Sequence, residues 1–164
     1  MMQLRVFLTA TAALALLSAC GQETSVQTFD GGLTPEPPES SSKDFGEYVL
    51  HFNGISTDQL QPEVAREYNV TRSKNRAMLT VSIIRKEEGT IGVSVPGDVT
   101  ATANNLTGQL KNLTLRQVRE GDAFYYIGDV SIANAETLVF NVNATPENAT
   151  DTLEVRFLRQ FYTD

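Results

Sequence analysis

The chain has 164 residues, a formal net charge of −7 and one cysteine. Its 20 acidic residues against 13 basic ones argue against a nucleic-acid binder, which needs a basic face to neutralise phosphates. One Cys and one His exclude an intramolecular disulfide, a zinc site of the usual kind and the paired-histidine metal motifs. The length allows one domain plus tails, and a hydrophobic share of 41% is enough for a real core.

Residues 1–19 read as an export signal. Arg5 precedes an uncharged run from Phe7 to Leu17 that is rich in Ala and Leu. The run falls well short of the ~20 residues needed to span a bilayer and sits where a signal core sits. It ends in Leu17-Ser18-Ala19-Cys20, which resembles the bacterial lipoprotein signal. The resemblance implies cleavage before Cys20, acylation of Cys20 and attachment to a membrane through that residue. Two or more acyl chains anchor a protein stably, at about 0.8 kcal/mol per buried CH₂. Gly21 stands where an Asp often marks retention in the inner membrane, so the resemblance favours the outer membrane.

Residues 20–43 read as the lipidated Cys and a flexible tether. The stretch is polar, with Gly31-Gly32, then Pro35, Pro37 and Pro38, then three serines. It cannot bury enough apolar area to offset its chain entropy. From Asp44 to Asp164 the pattern predicts one domain. Phe45–Phe52 alternates as a strand, and Gln61–Tyr68 reads as a short helix with Pro62 in its first turn. Met78–Arg85 is a strong strand. Ile91–Val95 and Val99–Ala103 are weaker and are broken by Pro96-Gly97, where a bend, bulge or turn is expected. Strands follow at Leu113–Arg119, Ala123–Ile132, Thr137–Val142 and Leu153–Tyr162. Glu120-Gly121-Asp122 is a hairpin signal and Asn134-Ala135-Glu136 another turn. In the last strand Leu153, Val155, Phe157 and Arg159 share one face. The expected fold is all-β: an immunoglobulin-like antiparallel sandwich of seven to eight strands with one short helix. A small barrel is the alternative.

Several segments together carry a family resemblance. They are Leu60-Gln61-Pro62-Glu63-Val64-Ala65-Arg66, Arg72-Ser73-Lys74-Asn75-Arg76, Asn105 to Leu110, Arg116 to Tyr126, and the closing Gln160-Phe161-Tyr162-Thr163-Asp164. In this order they resemble a bacterial family of small exported proteins, domain of unknown function family 4426. The resemblance covers nearly everything after the tether. It implies an immunoglobulin-like domain in the Gram-negative envelope and supplies no activity.

The search for chemistry returns few candidates. His51 lies on a strand, on the parity opposite Tyr48, Leu50 and Phe52, and no Gly-x-Ser-x-Gly elbow accompanies it. A surface or edge histidine is the expected reading. No phosphate-cradling Gly loop exists, so no cofactor is expected and no catalytic residue is assigned. Arg72, Lys74 and Arg76 put three positive charges within five residues. If the next strand begins early they project from one face, to hold a carboxylate, a phosphate or an acidic partner. Otherwise they pair with acids of the same domain, such as Glu63 and Glu67. Arg116, Arg119, Glu120 and Asp122 surround the hairpin, as a binding tip or as pairs that set register. Glu87, Glu88 and Asp98 make a calcium site only if folding joins them, and a solvated turn is expected. The five Asn-x-Thr sequons are chance matches in a bacterial lipoprotein.

Three functions are weighed. The first is a non-enzymatic, lipid-anchored, periplasm-facing module that binds an envelope protein. The second is a carrier or sensor of a small anionic or lipidic ligand, held between the sheets with Arg72, Lys74 or Arg76 at the mouth. The third, and weakest, is an enzyme using two of Glu120, Asp122 and Asp129. Partner identity and oligomeric state are not readable.

Overall fold

The structure is a computed structural model that describes residues 40–164. The expected signal, Cys20 and most of the tether lie outside the described residues.

Alternating apolar residues build ten strands in two antiparallel sheets. β1 (Ser42–Asp44) pairs with β2 (Tyr48–Ser56), and β2 runs along β3 (Arg76–Arg85) from Tyr48↔Arg85 to Ser56↔Ala77. On its other side β3 pairs first with β8 (Ala123–Ser131) and then, over Ile83–Arg85, with β4 (Val93–Val95). β7 (Arg116–Glu120) closes this sheet against β8. The second sheet has the order β10 (Leu153–Phe161), β9 (Glu136–Pro146), β5 (Gly97–Asn105) and β6 (Leu110–Lys111).

The sandwich fills as the strand period requires. Leu50, Phe52, Leu79, Val81 and Ile83 from one sheet meet Phe140, Val142, Val155 and Phe157 from the other. Phe157 sits with its ring centroid 4.7 Å from Phe52 and 5.0 Å from Phe140, so the three rings stack across the middle. The pocket expected between the sheets is therefore filled by side chains.

The all-β sandwich and the single short helix agree with the expectation. The strand count is higher by β1 and β6, which are only three and two residues long. The expected strand over Leu113–Arg119 begins only at Arg116. Leu113 and Leu115 instead cross over Gly128 and pack against the core. A Cβ at Gly128 would lie 2.5 Å from the Thr114 carbonyl oxygen, so the crossing depends on the glycine. The break at Pro96-Gly97 is where the chain leaves β4 in one sheet and enters β5 in the other. The hairpin at Gly121 and the turn at Ala135 are both present, each with a positive φ, 59° and 54°.

The helix α1 (Pro62–Glu67) lies on the outer face of the larger sheet. Leu60, Ala65, Met78 and Ile127 form a second core there, joined by Ile55, Val64, Tyr68 and Tyr125. A helix of six residues has no independent stability, so this apolar contact holds it. It leaves the neighbouring outer face, around His51 and Ser82, uncovered.

Candidate functional site

The basic row does not form as a strand face. β3 begins at Arg76, so Arg72 and Lys74 lie in the preceding loop. That loop is tied down from beneath by Thr57, which is fully buried. The Thr57 hydroxyl accepts the Ser73 N–H at 2.9 Å and lies 2.9 Å from the Thr71 carbonyl and 3.0 Å from that of Ser73. Arg72 donates to the Asp58 carbonyl at 2.7 Å. Arg76 grips the Asp129 carboxylate through Nε and Nη2. The expected acidic partners are different ones: Glu63 pairs with Arg66 at 2.9 Å. Arg76 also faces outward with Met78 and Thr80, away from the interior where a ligand was expected.

The hairpin residues are largely occupied within the hairpin. Arg119 donates to the Gly121 carbonyl at 2.9 Å, stands 3.8 Å from Asp122 and lies over the Phe124 ring at 5.4 Å. Glu120 accepts the Tyr68 hydroxyl at 3.0 Å. Burial, then that bond and its charge, push the Tyr68 hydroxyl up to about 12. Arg116 stands exposed on β7. The weighed carboxylates are kept apart. Asp129 lies six residues beyond Ala123, the register partner of Glu120, about 20 Å away at strand rise. Among the described residues no three of His, Cys, Asp and Glu come together as a metal site, so Glu87, Glu88 and Asp98 are solvated turn and strand charges.

The concave surface of the domain lies elsewhere. On the outer face of β2 and β3, register puts His51 beside Ser82 and Asn53 beside Thr80. Tyr125 on β8 bounds them on the side of the helix. Together with Ser41 and Arg159 they line a groove of about 590 Å³. A second groove, about 280 Å³, follows the seam between β2 and β10. It is lined by Asn53 to Ser56, Gln59 and Arg159 to Tyr162. The two adjoin at Asn53 and Arg159 and are together the trough of this domain.

Arg159 sits where the two adjoin. It shares the inward face of β10 with Leu153, Val155, Phe157 and Phe161. Gly54 opposite has no side chain, and Arg159 Cγ is 3.7 Å from where a Cβ would stand. The guanidinium passes over the β2 edge to reach Asn53, with Nη2 3.5 Å from Oδ1. Its Nε is buried and has no hydrogen-bond partner. No described Asp or Glu lines either part of the trough. Two other surface grooves each carry a pair of acids, Glu47 with Asp151 and Asp98 with Glu147. In a chain with 20 acidic residues, one trough is thus left cationic.

His51 and the face that Arg159 shares with Leu153, Val155 and Phe157 are legible in the sequence; that both line one groove is not. The signal for it is an Arg on the apolar face of an edge strand, which demands an explanation.

Comparison with known proteins agrees with the fold. A crystal structure of a DUF4426 family protein from Pseudomonas aeruginosa PAO1 is similar, with a TM-score of 0.62 and 29% sequence identity over 75% of this chain and 94% of that one. No curated protein matches the chain. Residues 42–164 match the family described as domain of unknown function DUF4426, and the chain belongs to that family.

Proposed function

We propose that this protein is a non-enzymatic binding module of the bacterial envelope. In this reading it is acylated at Cys20, faces the periplasm from the outer membrane, and meets an envelope partner through the trough around Arg159. The observation that carries the reading is the cationic trough itself: Arg159, held only by a long bond from Nη2 to Asn53, between walls that carry no described Asp or Glu. A ligand that brings an acidic group to the guanidinium gains a charge-assisted hydrogen bond there. The carboxylates weighed for catalysis support the non-enzymatic reading, since Asp129 is held by Arg76 and Glu120 by Tyr68.

The test is a photo-crosslinking residue placed in the living cell at Gln160, in the trough, and at Lys74 and Asp122 outside it. The expected result is a discrete adduct from Gln160 and none from the other two. Adducts from Lys74 or Asp122 alone would move the site to the basic loop or the hairpin, and no adduct anywhere would remove the reading.

The carrier of a small anionic ligand is the second reading, favoured by the groove of about 590 Å³, a size that suits small-molecule sites. It relocates the ligand from between the sheets to the outer face. Native mass spectrometry of the purified chain decides it: a retained small molecule supports the carrier, and a clean apo mass counts against it.

A further inference from the structure

β7 is the last strand of its sheet. Among the described residues no strand lies beyond it, and its five residues are exposed except for the half-buried Val118. The hairpin fixes which way its backbone groups point. A two-residue turn, Gly121-Asp122, joins Glu120 to Ala123, which makes these two the closing hydrogen-bonded pair. Hydrogen-bonded pairs then recur at every second residue, so Glu120, Val118 and Arg116 turn their backbone groups to β8. Those of Gln117 and Arg119 point outward, and no described residue bonds to them. Both residues are exposed, so this edge is open.

An open edge pairs indiscriminately unless its side chains restrict it. Arg116, Val118 and Glu120 share the outer face, where Val118 packs against the apolar cluster under the helix. Among the described residues Arg116 forms no ion pair. Glu120 engages Tyr68 through Oε2 alone. A second β7, laid antiparallel about Val118, answers each of these groups. Gln117 of each copy faces Arg119 of the other, and these are the residues with outward backbone groups. Val118 meets Val118 of the second copy as a close, non-hydrogen-bonded pair. Arg116 falls opposite Glu120 of the second copy, a favourable cross-strand pair made twice. A shift of two residues one way sets Arg119 against Arg119, and the other way sets Arg116 against Val118. Like charges directly opposite are destabilising, so only the register centred on Val118 satisfies the strand along its length. The helices do not obstruct it. Each lies over Met78 of β3 and Ile127 of β8. From β8 to β8 of the second copy is three strand spacings, about 14 Å, and a helix is about 10 Å across.

We infer that the occupant of this edge is a second copy of the chain, paired β7 to β7 about a two-fold axis at Val118. None of the residues that line the trough takes part, so this contact and the binding-module reading stand or fall separately. Asp122 lies in the turn, beyond the last pair.

The test is disulfide trapping on the purified full-length chain in mild detergent, with copper phenanthroline as oxidant. The Cα atoms of a non-hydrogen-bonded pair lie about 4.5 Å apart, within reach of a disulfide. A Val118→Cys chain is therefore expected to give a linked dimer. The wild type measures the background from Cys20, and Thr107→Cys, at an exposed loop position, measures random collision. Within the Val118→Cys chain, Arg116→Glu or Glu120→Arg opposes like charges at both pairs, and each is expected to slow trapping about tenfold. Mixing the two reversed chains opposes unlike charges at both pairs again. The dimer should then return as the mixed species, identified by a tag on one chain, a return that a folding defect in either chain cannot imitate. No Val118→Cys dimer above the two controls, a trapping rate indifferent to charge reversal, or no return on mixing each overturns the inference.

Discussion

Tyr126 shows how much a single hydroxyl can carry in this fold. It projects inward from β8, and its oxygen accepts the Gly97 N–H at 2.7 Å while donating to the Gly97 carbonyl at 2.7 Å. One side chain thereby joins the two sheets at the point where the chain changes sheet. Burial raises the phenol above its ordinary value, against the lowering effect of the bond to Gly97, so the neutral, donating form prevails at physiological pH. Gly97 cannot be replaced to compensate, since a Cβ there would lie 2.4 Å from the Thr145 carbonyl oxygen and 2.8 Å from Ile83. Tyr126→Phe leaves both backbone groups of Gly97 without this partner. The expected cost is about 1–3 kcal/mol, read as a lower urea midpoint with an unchanged slope; an unmoved midpoint would show that water replaces the hydroxyl. Arg159 teaches the converse at the same scale. Its inward parity with Leu153, Val155 and Phe157 is legible from the period of two alone. Its reach across Gly54 to Asn53 depends on pairing two distant strands at sheet edges, which local pattern does not encode.

Among the elements, the long strands are legible and the short ones are not. β3 and β10 announce themselves by alternation because each buries one face along its length. β6 has two residues, too few for any period to register, and it persists through Lys111. The Lys111 ammonium meets Glu136 at 2.6 Å with side-chain exposures of only 18% and 12%, tying the β6 edge to the start of β9. For Glu136, burial alone would raise the carboxyl. The Lys111 bond, the Ala133 N–H, the Lys111 charge and Asn105 together outweigh it and hold the pKa below the ordinary value of 4.5. A lowered folded pKa gives stability that is present above the unfolded value and lost as pH falls through the folded one. Lys111→Met is therefore expected to cost on the order of 2 kcal/mol at neutral pH. That difference from the wild type should shrink as pH drops below about 4.5. Urea melts at neutral and acidic pH test it, and a pH-independent difference would assign the loss to packing. The basic row failed as a strand for a comparable reason. Arg72-Ser73-Lys74-Asn75 has the alternation of a strand, but the buried Thr57 hydroxyl binds Ser73 N–H and fixes the segment as a loop.

For the whole molecule, the proposed anchor and the trough make one device. A lipid on Cys20 followed by a polar, Pro-rich tether would keep the domain on the order of 25 Å from the membrane. For a partner held at the same membrane, a short flexible link raises the effective concentration to about the millimolar range. A contact of modest affinity is then occupied without any large apolar interface. This fits the trough, whose walls mix polar and apolar residues and whose exposed aromatic is Tyr162. The two parts can be separated by giving the chain an ordinary cleavable export signal and Cys20→Ser, so that the same domain is exported without lipid. On phase separation in a cloud-point detergent, the wild type is expected in the detergent phase and the variant in the aqueous phase; labelled palmitate should enter only the wild type. The Gln160 adduct should then fall by an order of magnitude or more at native expression and return when the variant is overproduced, because mass action replaces the anchor. An adduct that persists undiminished without the lipid would mean that the trough binds tightly enough in solution. The role of Cys20 would then be placement of the domain rather than assembly of the complex.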